Sequence, residues 1–286
     1  MTRIDPHAYL RRLGFAEAEP PSLSALRRLH AAHVERVPYE TLGIQLGRPT
    51  PIDEVSSAGW IAGGRGGYCF HLNGAFSALL RELGYRVGRH RGGMQTGEEP
   101  PVAIAGDHLP LTVEDLPDPT GEQGSRWLVD VGLGDALHEP LPLREGEHAQ
   151  GPFRYRLTAS KIADGGWRFD HDPLGSFTGM DFGPDLAELA EFERQHERLS
   201  TSPKSGFVRV CMASRRDRDG VDTLRSLTLS RVPGDRTVLG DKAEWWDALA
   251  DIFGISPLGF TGDERELLWR KACEQHERHE AAQAQS

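Results

Sequence analysis

The chain has 286 residues, 38% hydrophobic and 27% charged, with a formal net charge of −10. That length exceeds one average domain and the balance is that of an ordinary globular protein. The acidity excludes a general affinity for nucleic acid or anionic membranes. Cys69, Cys211 and Cys273 lie far apart with no CxxC pair, which speaks against a disulfide framework or a structural zinc site. The opening "MTRIDPHAYLRRLGF" has no apolar run of signal-peptide length and no stretch reaches membrane-spanning length, so a reducing cytoplasm and free thiols are expected.

Residues 1–85 read mainly as helices. Ser24 can cap "SALRRLHAAHVERV", with Leu26, Leu29, Ala32 and Val37 at helical spacing and Pro38 as its stop. "PIDEVSSAGWIAG" is a shorter helix closed by glycine. In "GGRGGYCFHLNGAFSALLRELGY", Leu72, Ala75, Phe76, Leu79, Leu80 and Leu83 predict a helix with one buried stripe, stopped by Gly84. Gly66 and Gly67 precede it, so Cys69 falls in or just before its first turn. Unpaired N–H groups and the positive end of the helix dipole favour a thiolate there, below the ~8.5 of a free cysteine. The same N–H groups could hold an oxyanion. The competing reading is a small apolar residue that begins a helix.

From about residue 86 the texture turns to β. "SRWLVDVGL", "FRYRLTAS" and "GWRFDHDP" are short segments separated by Gly, Pro and Asp, predicting a small antiparallel barrel or sandwich through about residue 185. In "AGDHLPLTV", alternation sends Leu109, Leu111 and Val113 to one face and His108 to the other, with Pro110 placing the strand at an edge or kinking it. In "SRWLVDVGLGD", Trp127, Val129, Val131 and Leu133 share a face opposite Asp130. "DLAELAEFERQHERL" reads as a connecting helix. "GFVRVCMASR" and "DTLRSLTLSRV" read as strands, "KAEWWDALADIFG" and "DERELLWRKACEQHE" as helices, and the tail "CEQHERHEAAQAQS" as frayed. A nucleophilic Cys69 needs a base and the base an orienter. His108 and Asp130 are candidates, although spacing alone does not bring them together.

Five segments in order carry a resemblance. "HVERVPYET" (33–41), "RGGYC" (65–69), Asn73, "LVDVGLG" (128–134) and "STSPKSGF" (200–207) resemble the motifs of the arylamine N-acetyltransferase family. The resemblance implies an α+β chain with a helical N-terminal domain (1–85), a central antiparallel β-barrel with a connecting helix (86–204), and a C-terminal α/β lid (205–286). It implies a papain-like Cys69-His108-Asp130 triad, with Tyr39, Leu133 and Phe207 lining the acyl and amine pocket and Arg65, Glu40 and Asn73 supporting it. Acetyl-CoA would be the acyl donor and an arylamine, hydrazine or N-hydroxyarylamine the acceptor, with no metal, nucleic acid or membrane involved.

Tyr39, Thr41 and Leu133 depart from the family's Phe, Asn and Phe, and His71 stands where many members carry an acid or amide; the ring lost at Leu133 and the hydroxyl gained at Tyr39 should make the pocket roomier and more polar. Leu133 also invites a neighbouring reading, an amide synthase that joins a larger acyl thioester to an aryl amine. A papain- or transglutaminase-like hydrolase shares the residue order, but no recognisable propeptide favours it. The blander features read as structure. Arg65 holds the glycine loop through a carboxylate such as Glu40, Trp245 and Trp246 pack a helix, Cys211 and Cys273 fill core positions, and "HERH" lies on a charged tail.

Overall fold

The computed structural model describes residues 3–97, 99, 101–116 and 125–284. Helices α1 (Pro6–Leu13), α2 (Leu23–Arg36), α4 (Glu54–Ala62) and α5 (Cys69–Glu82) form the N-terminal part, with a two-residue strand β1 (Tyr39–Glu40) and a single-turn α3 (Leu42–Gln45) between them. Asp5, Ser22 and Asp53 cap α1, α2 and α4 with their side chains, each accepting from a first-turn N–H. The cap of α2 is thus Ser22, two residues before Ser24, whose hydroxyl instead accepts from Arg28 at 2.8 Å. The residue before Pro38 leaves the helical region, and α2 ends there.

The single apolar stripe expected on α5 is replaced by burial on every face. Each residue from Cys69 to Leu80 is buried, because the helix is central rather than a surface element. Its polar members bond internally, with only His71 Nδ1 left buried without a partner among the described residues. His71 Nε2 donates to the Thr50 carbonyl at 2.8 Å and Ser77 Oγ to the Gly74 carbonyl at 2.7 Å. Gly84, at φ +91°, lets the chain turn off the helix end.

An eight-stranded antiparallel sheet follows: β2 (Arg86–Gln95), β3 (Leu111–Glu114), β4 (Trp127–Val129), β5 (Leu141–Pro142), β6 (Gly146–Gln150), β7 (Phe153–Ala159), β8 (Trp167–Asp170) and β9 (Gly179–Leu186). The order β5-β4-β3-β2-β9-β8-β7-β6 makes a nearly closed barrel, with β5 and β6 as its two ends. A bulge between His90 and Gly92 bends the long strand β2. Phe153, Tyr155 and Leu157 alternate inward along β7 and meet Phe169, Met180 and Phe182 in the barrel interior.

Strands β3 and β4 are buried on both faces, so strict alternation misassigns one residue. Trp127, Val129 and Val131 join the core around α5, whereas Leu133 joins Leu128 in the barrel core. Pro110 does not place β3 at an edge. The strand pairs with both β2 and β4, and Pro110 precedes it, its carbonyl accepting from His90 N at 3.0 Å.

In the C-terminal part, β9 runs on to Leu186, so the connecting helix begins later than expected. A 3₁₀ turn at Leu189–Phe192 leads into α6 (Glu193–Thr201). "GFVRVCMASR" opens as a helical turn, α7 (Gly206–Arg209), because the Ser205 hydroxyl caps Phe207 N at 3.2 Å; strand β10 (Met212–Arg216) starts after it. "DTLRSLTLSRV" is a hairpin of β11 (Val221–Arg225) and β12 (Thr228–Val232), turning at Ser226 with φ 53°. With β13 (Arg236–Val238), these strands form a sheet in the order β1-β10-β11-β12-β13, so a piece of the N-terminal part is its edge.

Helices α8 (Lys242–Asp251) and α9 (Gly262–Gln283) cover this sheet. The tail expected to fray is helical to Gln283, started by a Thr261–Glu264 capping box. In "HERH", His276 pairs with Glu280 at 3.3 Å and His279 with Gln283 at 3.1 Å. Trp245 donates to the Ser226 carbonyl at 2.8 Å and stands edge-on to Trp246 at 5.1 Å, a packing role. Cys211 is buried in the same core and its thiol is pushed up to about 12 by burial; Cys273 is half-buried on α9. Among the described residues no helix is long and apolar enough to cross a membrane.

Candidate active site

Cys69 is the first residue of α5. Its N-cap, Tyr68, has extended backbone and no side-chain cap bond. The glycine loop reaches this position by close approach, since a Cβ on Gly66 would lie 1.8 Å from the Pro38 carbonyl oxygen. Tyr39 and Gly67 form a parallel bridge, and Glu40 N donates to the Gly67 carbonyl at 2.9 Å. Arg65 pairs with buried Glu40 at 2.7 Å, and Glu40 also accepts from Leu42 N at 2.6 Å. The guanidinium lies over Trp60 and Phe260, at 4.7 and 4.5 Å from their ring centres. Arg65 and Glu40 therefore lock the loop behind the cysteine.

The structure brings His108 and Asp130 to Cys69. His108 precedes β3 and is held by a bridge to Gly92. Asp130 is the first residue past β4, where the chain has left the ladder and the carboxylate is free to turn inward. His108 Nε2 and Asp130 Oδ2 are 2.7 Å apart, both side chains essentially fully buried. The imidazole also lies near enough to the Cys69 sulfur for each to act on the other's ionisation. The thiol also lies 3.7 Å from the Asp107 carbonyl.

Asp130 is held on its remaining lone pairs. Oδ1 accepts from Asn73 Nδ2 at 2.6 Å and from Gly132 N at 3.0 Å. The same Asn73 nitrogen donates to the Leu109 carbonyl at 2.8 Å, and its Oδ1 accepts from Val131 N at 2.9 Å. One turn down from Cys69 on α5, Asn73 thus ties together the strand ends that carry His108 and Asp130. Gly132 closes the arrangement, for a Cβ there would stand 2.7 Å from Cys69 Cα.

Composition and periodicity gave no reason to single out His30. It is fully buried on α2, and its Nε2 accepts the Asp130 backbone N–H at 3.2 Å while Nδ1 donates to the His138 carbonyl at 2.9 Å. Burial lowers its pKa to about 4, so it stays neutral beside the carboxylate. The one available signal was its place on the inward face of an amphipathic helix, which is the ordinary position of a core residue.

The electrostatics modify the expectation for the thiol. Burial pushes the Cys69 thiol up, with His108 pulling against it, so the helix end alone does not produce a thiolate. For His108, burial disfavours the charge, but Asp130 and the Cys69 sulfur outweigh it and raise the imidazole to about 10. Ionisation of the sulfur therefore depends on the imidazolium beside it.

Tyr39 and Leu133 line a small cavity of about 10 Å³ together with Asp130, Val131 and Gly134. Phe207 is not among its walls. It stands edge-on to Tyr39 at 6.2 Å and packs on Tyr68 at 4.9 Å. His71 lies behind the loop, held neutral by burial with its pKa near 4.

Comparisons with known proteins bear on the family and the fold. A family model described as N-acetyltransferase matches residues 22–258. The arylamine N-acetyltransferase / N-hydroxyarylamine O-acetyltransferase of Salmonella typhimurium is 34% identical over 154 residues, 53% of this chain and 52% of that protein. Against this relative the match thus spans about half its length. The arylamine N-acetyltransferase of Mycolicibacterium smegmatis is 30% identical over 272 residues, 88% of this chain and 92% of the relative. Among solved structures, the Mycobacterium marinum arylamine N-acetyltransferase in complex with CoA superposes with a TM-score of 0.78 at 28% identity, covering 94% of this chain and 98% of its own. The chain belongs to the arylamine N-acetyltransferase family.

Proposed function

We propose that the protein transfers an acetyl group from acetyl-CoA to an aromatic amine, hydrazine or N-hydroxyarylamine through an acetyl-Cys69 intermediate. The observation that carries this reading is the buried line from the Cys69 thiol through His108 to Asp130, at the start of a helix. The names of the relatives and the CoA-bound homologous structure support the donor and the acceptor class.

In this scheme His108 takes the Cys69 proton, and Asp130 fixes the tautomer and steadies the imidazolium. The sulfur attacks the thioester carbonyl, and the oxyanion so formed meets backbone N–H groups at the start of α5. Collapse expels the coenzyme as its thiol, which recovers the proton from His108. One thioester has replaced another of similar energy. The acceptor amine then attacks acetyl-Cys69, His108 removes its proton, and the amide leaves with the cysteine restored.

Tyr39, Leu133 and Phe207 are proposed to surround the acyl group and the amine. Asn73, Arg65 and Glu40 act on the triad by holding its backbone and Asp130. The helical part, the barrel and the C-terminal sheet layer correspond to segments 1–85, 86–204 and 205–286. A free reactive thiol is kept reduced in the cytoplasm, and the enzyme is assigned there.

The test is thiol release from a series of acyl thioesters crossed with arylamines. Amine-dependent release from acetyl-CoA, with parallel double-reciprocal lines, is expected. Release that ignores the amine, or peptide cleavage without coenzyme, would discard the proposal.

A further inference from the structure

The loop that follows Asp130 is held at three consecutive residues beyond Leu133. Ser214 Oγ donates to the Gly134 carbonyl at 3.2 Å, and Tyr155 Oη and Arg216 Nε donate to the Ala136 carbonyl at 2.7 and 2.9 Å. Between them, Asp135 Oδ2 accepts from Ser176 N at 2.6 Å. On the near side of Leu133, Gly132 N donates to Asp130 Oδ1 at 3.0 Å. Leu133 thus sits on a short span between the triad carboxylate and a clamp supplied by the barrel and the C-terminal sheet.

One arm of this clamp is a second buried histidine–carboxylate pair, separate from the triad. His171 follows β8 with its side chain fully buried, and Nε2 lies 3.4 Å from Asp135 Oδ1. Neither of these two atoms has a hydrogen-bond partner among the described residues. His171 Nδ1 lies 3.1 Å from the Asp172 carbonyl. A neutral imidazole carries one N–H, so one of its nitrogens would turn a lone pair toward an oxygen. With a proton on both nitrogens, both contacts become attractive. The ring is fitted to its place: Phe177 meets it edge-on at 4.4 Å and Tyr155 at 5.6 Å, and a Cβ on Gly175 would fall 2.1 Å from its Cε1. Asp135 Oδ1 is buried as well, so removing the imidazole leaves a carboxylate oxygen without its counter-charge.

Leu133 and Gly134 line the cavity beside Tyr39 and Asp130. Gly134, at φ +80°, lies between Leu133 and the paired Asp135, in a conformation that depends on the ties around it. We infer that His171 is a positioning residue for acyl-group selection: its pairing with Asp135 fixes residues 132–136 and holds Leu133 as a wall against acyl chains longer than acetyl. This inference rests on the acyl-transfer reading and on the place given there to Leu133. His171 acts through Asp135 and is not itself a wall of the cavity.

The experiment uses the full-length protein, one arylamine and two donors, acetyl-CoA and butyryl-CoA, and reads the ratio of their kcat/KM values. Asp135→Asn keeps the side-chain shape and an acceptor for Ser176 N; His171→Phe keeps an aromatic ring. Each should raise the butyryl-to-acetyl ratio about three- to tenfold, part of the roughly tenfold or more that a methylene commands in a fixed apolar pocket. Leu133→Ala should raise the ratio too. His171→Phe combined with Leu133→Ala should add little to Leu133→Ala alone, because the wall that the pair holds is already gone. His171→Gln, whose amide can still donate to Asp135, should fall between the wild type and His171→Phe, a graded effect that general loss of fold does not produce. A ratio unchanged in both Asp135→Asn and His171→Phe, or effects that add in full to that of Leu133→Ala, would overturn the inference. Wild-type protein that transfers neither acyl group to the amine would instead strike the acyl-transfer reading itself.

Discussion

Asn73 donates to Asp130 Oδ1 at 2.6 Å, the carboxylate oxygen that His108 does not use. The carboxylate is therefore oriented by α5, the helix that also begins with Cys69, and the nucleophile and its distant partner share one rigid support. Asn73→Ala should lower the acetylation rate of Cys69 about 10- to 100-fold, the equivalent of one charge-assisted hydrogen bond of about 1.5–3 kcal/mol. Stopped-flow acetylation checks the rate, and circular dichroism checks that the helix content is kept.

His108→Gln removes the group that pulls the Cys69 thiol down and leaves burial, which pushes it up. The midpoint for alkylation by iodoacetamide should therefore move above the ~8.5 of an ordinary thiol. The wild-type protein should react at lower pH than the variant. Alkylation rates from pH 5 to 10 decide it, and coincident profiles would remove His108 from the ionisation of Cys69.

His30 carries a stability prediction with a definite sign. Its folded pKa of about 4 lies below the ~6.5 of an unfolded histidine, so between these values the unfolded chain binds more protons. Stability should fall as the pH drops through that window, by up to about 3 kcal/mol from this residue alone. His71 adds to the same loss, being held near 4 as well. His30→Gln, which keeps an acceptor for Asp130 N, should flatten the fall in denaturation midpoint between pH 6.5 and 4. It should keep more activity than His30→Leu, which leaves that N–H without a partner.

Gly132→Ala would place a methyl group 2.7 Å from Cys69 Cα and 2.9 Å from Asn73 Nδ2. The contact is with backbone and with a fixed amide, so the loop must move. Acetylation of Cys69 should drop by at least tenfold, with only a small change in the unfolding midpoint because the strand pairings lie elsewhere. Thermal unfolding read beside the acetylation rate separates the two effects.

Much of this was readable in advance where local chemistry decides. The glycines before Cys69, the stop at Gly84 and the alternation along Phe153, Tyr155 and Leu157 each act within a few residues, and each appears in the fold. What escaped depends on partners far away in the chain. The all-round burial of α5 needs the barrel and the 3₁₀ turn at Leu189–Phe192 to cover it. Leu133 turns into the barrel because the ladder of β4 ends at Val129, a length that side-chain alternation does not report. His30 meets Asp130 across 100 positions of sequence. The gathering of Cys69, His108 and Asp130 is of this second kind, and only the family motifs anticipated it.

The central claim is that the sulfur of Cys69 takes up the acetyl group as a covalent intermediate. Intact-protein and peptide mass spectrometry after mixing with acetyl-CoA, without any amine, tests it most directly. The account predicts a single acetyl group on the peptide that contains Cys69, its disappearance when an arylamine is added, and no adduct in Cys69→Ala. An unmodified Cys69, or an adduct that persists in Cys69→Ala, would contradict it.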